Sequence, residues 1–184
     1  MEKFSQFCCV NDLEKKACTY LWNIERTQDL VLRSLVCLCI GSDRYTGDAL
    51  GPLVGTFLQE NSCYPIYGSL DQPVHGGNLA SVVEEIHKRY NNPFILAVDA
   101  CLGKHSEIGK IEIWSGSITA GLAVGNQLPP TGEISLVGIV NAASESSHLV
   151  LQSTSLALVM KQAKKIAAII RLFQDQLVAK QFLV

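Results

Sequence analysis

The sequence predicts an α/β fold: a mostly parallel sheet with helices on both faces. Three observations carry that prediction. Apolar runs of strand length alternate with stretches of helical periodicity, the pattern of βαβ units. The runs from Ser34 to Ile40 and from Phe94 to Val98 are apolar nearly throughout, as parallel strands covered on both faces require. Polar, Gly-bearing loops follow these runs, and right-handed crossovers bring such loops to one edge of the sheet. Asp43, Asp48, His75 and Asp99 are therefore expected on one rim, where open α/β sheets bind ligands.

With 184 residues, 48% of them hydrophobic, the chain suits one domain with one sizeable core. Lys and Arg total 15 against 17 Asp and Glu, a formal charge of −2, so composition suggests neither a nucleic-acid nor a membrane partner. The longest apolar candidate is interrupted by Lys161, Lys164, Lys165 and Arg171, which argues against a transmembrane helix. The first 22 residues mix charges of both signs and lack the pattern of a signal peptide. Seven cysteines without Cys-x-x-Cys pairs favour reduced thiols. Together these features predict a soluble cytoplasmic protein.

Taken in order, residues 1 to about 10 read as irregular. From Asn11, a candidate cap, Leu13, Ala17, Leu21 and Ile24 recur at helical spacing and predict a helix to about Asp29. Ser34 to Ile40 is the first strand, with Cys37 and Cys39 on one face as core filler. Pro52 suits a helix start, and Leu53, Val54, Phe57 and Leu58 form its apolar stripe. Tyr64 to Leu70 is a second strand entering the loop DQPVHGGN, which holds His75. Asn78 is placed to cap a helix with Leu79, Val82, Val83, Ile86 and Tyr90 on one face and charges on the other.

Phe94 to Val98 is the third strand, ending in Asp99, and Lys110 to Trp114 alternates as a fourth. The segment 115–133 is a long Gly-rich loop, a length associated with function or disorder. Ile134 to Val140 is a fifth strand. From about His148 one long helix carries Leu156, Val159, Ala163, Ile166, Ile170 and Phe173 on one side and solvated lysines on the other.

On the rim, Asp99 at the end of an apolar strand must be solvated, hydrogen-bonded or functional. Asp48 is close enough to the Pro52 helix for its N-terminus to favour the ionised carboxylate, and capping alone would account for it. Two carboxyls close together at the ends of neighbouring strands would share a proton, one acting as base toward water and the other as acid. That chemistry hydrolyses an amide without a covalent intermediate. The same pair could hold a divalent metal with His75 as nitrogen ligand, and spacing does not separate the two. Cys101 as a nucleophile, with His75 or His105 as base, is a further alternative, although nothing in the sequence lowers its pKa. The loop GSDRYTGDALG lacks both the G-x-G-x-x-G fingerprint and the P-loop lysine.

These residues also carry a resemblance. IGSDRYTGDALGPLVG, residues 40–55, and AVDAC, residues 97–101, are similar to the two aspartate segments of the spore germination proteases. GDALGP, DQPVHGGNL, VDACLG and ISLVGIVN followed by LVLQ resemble the YyaC type of sporulation protein, over roughly residues 34–172. The resemblance implies a three-layer α/β/α sandwich, phosphorylase/hydrolase-like, as in hydrogenase maturation and germination proteases. It implies a single α/β domain over 1–184, with 1–33 an N-terminal extension and helix, 34–172 the core and 173–184 a helix end and tail. Asp48 and Asp99 fall on the aspartic-type catalytic positions. AVGN, residues 123–126, resembles a pocket-loop segment of the germination proteases, so Asn126 joins Asp43 and His75 as expected substrate-binding residues. The hydrogenase maturation branch holds nickel at its acidic positions with a His that finds no match here.

The expectation is a sporulation-associated aspartic-type endopeptidase without a cofactor, acting on a spore protein or peptide in the cytoplasm, forespore or spore interior. The alternative is a noncatalytic sporulation protein that binds a peptide or protein in the same cleft.

Overall fold

The computed structural model describes residues 3–24, 30, 33–119 and 130–181. It is an α/β fold with a six-stranded sheet: β1 (Phe4–Phe7), β2 (Leu35–Cys39), β3 (Ile66–Tyr67), β4 (Phe94–Gly103), β5 (Lys110–Ser115) and β6 (Ile134–Ala142). Their spatial order is β1-β5-β6-β4-β2-β3. The pairs β2·β3, β2·β4 and β4·β6 are parallel, whereas β5 runs antiparallel to both β6 and β1. The helices are α1 (Leu13–Asn23), α2 (Leu50–Gln59), α3 (Leu79–Arg89), α4 (Ser147–Gln152) and α5 (Leu156–Gln181).

Side-chain alternation along β2 divides the interior. Leu35, Cys37 and Cys39 enter a large core shared with Leu21 of α1, Val54 of α2 and Phe173 of α5. Val36, Leu38 and Ile40 enter a smaller core with Leu79 and Ile86 of α3. Burial on both faces is why this strand reads as an unbroken apolar run. The second core also takes Val137 of β6 and, from the segment after β5, Ile118.

Several boundaries differ from the sequence reading. Residues 4–7 are a strand, not irregular chain, pairing with 110–113 of β5. Their pattern is hard to read because Phe4 packs on the core while Phe7 is exposed, as befits a short edge strand. The helix begun at Leu13 stops at Asn23, and residues 25–29 lie outside the described residues. The second strand contracts to Ile66 and Tyr67, beyond which Gly68 turns away at φ 87°.

Asp99 does not end its strand. β6 runs beside β4 beyond the point where β2 stops, so the ladder continues from Asp99↔Val137 to Gly103↔Ala142. The C-terminal helix is two helices. Thr154 donates its hydroxyl to the Val150 carbonyl at 2.8 Å and accepts from Asn141 Nδ2 at 3.2 Å, a side-chain competition that interrupts the helical ladder. Of the long loop, Ile118 and Thr131 form an antiparallel bridge.

Candidate functional site

The chain leaves β2 through Gly41, whose φ of 143° is open to glycine. A Cβ there would lie 2.1 Å from the Asp48 carbonyl oxygen, so the loop 41–48 folds tightly back on its own start. The Ser42 N–H donates to that carbonyl at 3.2 Å, and the Gly47 N–H donates to Leu151 of α4 at 2.8 Å. Gly51 brings α2 equally close, since its Cβ would meet the Ile40 carbonyl oxygen at 2.0 Å. The helix takes Ala49 as its N-cap, so Asp48 stands one residue outside it and is not the cap.

The loop after β3 is braced next to this turn. Ile40 bridges Val74 in parallel, and the Gly41 N–H donates to the Val74 carbonyl at 2.8 Å. Asn78 holds the N-cap position of α3, yet its side chain serves the loop. Its Oδ1 accepts from the His75 N–H at 2.8 Å, and its Nδ2 donates to Pro73 at 3.0 Å. The Gly77 N–H donates to His75 Nδ1 at 3.1 Å, which fixes the ring within the loop.

Asp99 lies on the face of β4 shared by Ile95, Ala97 and Cys101, and its side chain is buried. Its Oδ1 accepts from the Ala100 N–H at 2.8 Å. Burial, reinforced by the charge of Asp48, pushes the Asp99 carboxyl well above the usual carboxylate range. Burial also raises Asp48, but less freely, because the Ser42 backbone N–H and the charge of His75 favour its ionised form. Both carboxyls are thus pushed toward their neutral forms, Asp99 the more strongly.

Asp48, His75 and Asp99 line a cavity of about 430 Å³, a size typical of ligand sites. Ile40, Ile118, Val137 and Leu151 supply apolar wall. Its other end holds Lys3, Glu112 and Trp114, which sequence reasoning did not single out. The alternation of 110–114 was enough to put Glu112 and Trp114 on one face of β5; what the sequence lacked was the sign that this face fronts Asp99.

Other expected positions fall elsewhere. Asp43 is exposed on the loop and does not line the cavity. Asn126 lies outside the described residues. Cys101 lines the cavity, but burial and the charges of Glu112 and Asp99 push its thiol up to about 12, and His105 is exposed on a 3-10 turn outside the cavity wall. Among the described residues, no three His, Cys, Asp or Glu side chains gather to hold a metal ion, so Asp48, Asp99 and His75 do not form the three-ligand set. No helix of the described residues is long and apolar enough to cross a membrane.

Comparison with known proteins shows the family. The family described as "Protein of unknown function (DUF1256)" matches residues 10–169. The chain belongs to this DUF1256 family. The chain is 42% identical over 137 residues to "Uncharacterized protein YyaC" of Bacillus subtilis (strain 168), covering 73% of this chain and 67% of that relative. The DUF1256 match includes Asp48, His75, Asp99, Glu112 and Trp114 but begins after Lys3. Among solved structures, the [NiFe] hydrogenase maturation protease HycI from Thermococcus kodakarensis KOD1 superposes with a TM-score of 0.42 at 19% identity, covering 76% of this chain and 93% of that one.

Proposed function

We propose that this DUF1256 protein is an aspartic-type endopeptidase in which Asp48 and Asp99 together activate a water molecule against a peptide bond. The observation that carries the reading is the electrostatic asymmetry of two carboxyls in one cavity. Asp99, raised by burial and by the charge of Asp48, serves as the acid; Asp48, also raised by burial but drawn back toward its anion by the Ser42 N–H and the charge of His75, serves as the base. Asp48 takes a proton from water as its oxygen attacks the carbonyl carbon, and Asp99 gives its proton to the carbonyl oxygen. Collapse of the tetrahedral intermediate breaks the C–N bond as the proton held by Asp48 goes to the leaving amine, and one hydroxyl of the gem-diol returns its proton to Asp99 as the product carboxyl forms.

The association with sporulation, and with a spore protein as substrate, rests on the resemblance of residues 40–55 and 97–101 to the germination proteases. The assay sets the parent protein, Asp48→Asn and Asp99→Asn against small acid-soluble spore proteins. Each variant should lose cleavage by about 100-fold or more. Equal cleavage by all three would remove the aspartate pair from the chemistry, and no cleavage by the parent would remove this substrate.

A second reading, a noncatalytic binder of a peptide or protein, is favoured by the apolar side chains of the wall, Ile40, Ile118, Val137 and Leu151. Saturable binding without turnover, unchanged by asparagine at both aspartates, would select it.

A further inference from the structure

Asp99, Val137 and Glu112 lie in one lateral row of the sheet. Val137 is the register partner of Asp99 on β4 and of Glu112 on β5, and Ser5 of β1 continues the row beyond Glu112. Neighbouring strands are about 4.8 Å apart, so the two acidic positions are separated by roughly 10 Å across the sheet. Both side chains line the same cavity. Cys101, two residues beyond Asp99 on β4 and lining the same cavity, is within reach of the charges of Glu112, Asp99 and Lys3.

Glu112 is built to accept a cation. Its side chain is only 12% exposed, its Oε1 accepts from the Ser5 hydroxyl at 3.1 Å, and its Oε2 is ion-paired with the Lys3 ammonium. Trp114, two residues on and therefore on the same face, holds its ring centroid 4.8 Å from that ammonium. A carboxylate with so little access to water needs a positive partner, and an adjacent indole face suits an ammonium or guanidinium group. Lys3 itself lies outside the strand ladder. Its side chain is 45% exposed, and the β1·β5 ladder begins at Phe4↔Ile113, so Lys3 can swing away without breaking a strand pair.

We infer that Glu112 and Trp114 form a subsite for a lysine or arginine side chain of a polypeptide bound in the Asp48 and Asp99 cavity, and that Lys3 fills this subsite in cis until such a ligand displaces it. As a statement about substrate this rests on the peptidase reading; as a binding site it does not. An acidic side chain entering the same place meets the Glu112 charge and is rejected.

The test reads binding by the full chain, with no turnover required. Nα-acetyl-lysine amide and its neutral analogue Nα-acetyl-norleucine amide, which lacks the ammonium, are titrated in turn, followed by calorimetry and by NMR of the Trp114 indole N–H. Lys3→Met removes the internal occupant and should tighten binding of the lysine amide by about fivefold or more. Lys3→Arg, which still fills the subsite, should behave as the parent. Adding Glu112→Gln to Lys3→Met should abolish the gain, and the norleucine amide should respond to none of the changes. Unchanged lysine-amide affinity in Lys3→Met, or an equal gain for the norleucine amide, overturns the inference; this comparison stands even if Glu112→Gln disturbs the β1·β5 pairing. Lysine-selective binding in a protein that cleaves nothing would leave the subsite standing and the peptidase reading lost. Cleavage without lysine-selective binding would do the reverse.

Discussion

The backbone of Gly41 packs against the backbone of Asp48 so closely that a Cβ on Gly41 would lie 2.1 Å from the Asp48 carbonyl oxygen. Six residues of loop lie between them, yet the turn closes with the Ser42 N–H donating to that same carbonyl. The position of Asp48 therefore depends on a hydrogen atom at residue 41. Gly41→Ala must both strain φ at 143° and force the loop open, at a cost of about 2 kcal/mol or more in urea unfolding. Gly109→Ala is the matched control. Its φ of 93° is also strained, but its Cβ would meet nothing nearer than 3.7 Å, so it should cost about 1 kcal/mol and leave Asp48 in place. Equal losses in the two variants would show that the close approach contributes nothing.

Asp99 gives a stability prediction that runs against the usual behaviour of carboxylates. Its folded-state pKa is raised by burial and by Asp48, so the folded protein binds the Asp99 proton more tightly than the unfolded chain does. The resulting stability is fully present below the ordinary carboxylate pKa and is lost as pH rises through the raised folded value. Asp99→Asn removes this dependence. Relative to the parent, the variant should gain stability as pH rises from about 4 toward neutrality. Chemical denaturation at a series of pH values measures it, and parallel curves for the two proteins would contradict the buried, proton-holding role.

The parts of the fold legible in the sequence were those whose burial is symmetric. β2 and the first half of β4 are covered on both faces, so Leu35 to Cys39 and Phe94 to Val98 stand out by apolarity alone. Parallel topology predicted that Asp48, His75 and Asp99 share one rim, and all three line the cavity, Asp99 from within β4 rather than from a loop. Asp43 was expected beside them, but proximity in sequence to Asp48 does not fix direction: the loop turns it outward. Illegible were features decided by pairing between distant segments. Nothing local to Phe4–Phe7 marks it as an edge strand, and only its registry with β5 brings Lys3 to Glu112. Thr154 likewise breaks a helix through Asn141, a residue on another element.

Thiol chemistry should separate Cys101 from the exposed cysteines. Cys9 and Cys63 are exposed, whereas Cys8, Cys18, Cys37 and Cys39 are buried and the Cys101 thiol is pushed up to about 12. At pH 8 a disulfide reagent such as dithiobisnitrobenzoate should modify Cys9 and Cys63 quickly and leave Cys101 thiol largely unreacted, because the thiolate is the reacting form. Peptide mapping of the early adducts identifies the sites. Rapid labelling of Cys101 would restore it as a nucleophile candidate.

Arg33 should govern stability without touching the cavity. Its guanidinium Nη1 donates to Glu133 Oε2 at 2.8 Å, Nη2 to the Pro93 carbonyl at 2.8 Å and Nε to the Asn92 carbonyl at 3.1 Å, while its carbon Cζ lies 5.1 Å from the Phe94 ring centroid. One side chain thus ties the approach to β2 to the entries of β4 and β6, the opposite edge of the sheet from Asp48 and His75. The contacts with Glu133 are only partly exposed, at 16% and 25%, so they are more than a surface pair. Arg33→Met keeps much of the packing volume but leaves the Glu133 carboxylate and two carbonyls without this donor, which should cost about 2 kcal/mol in urea unfolding. Lysine-amide binding measured in the Lys3→Met background should be unaffected by it. A loss of that binding in folded Arg33→Met would mean that the start of the strands controls the geometry at their ends.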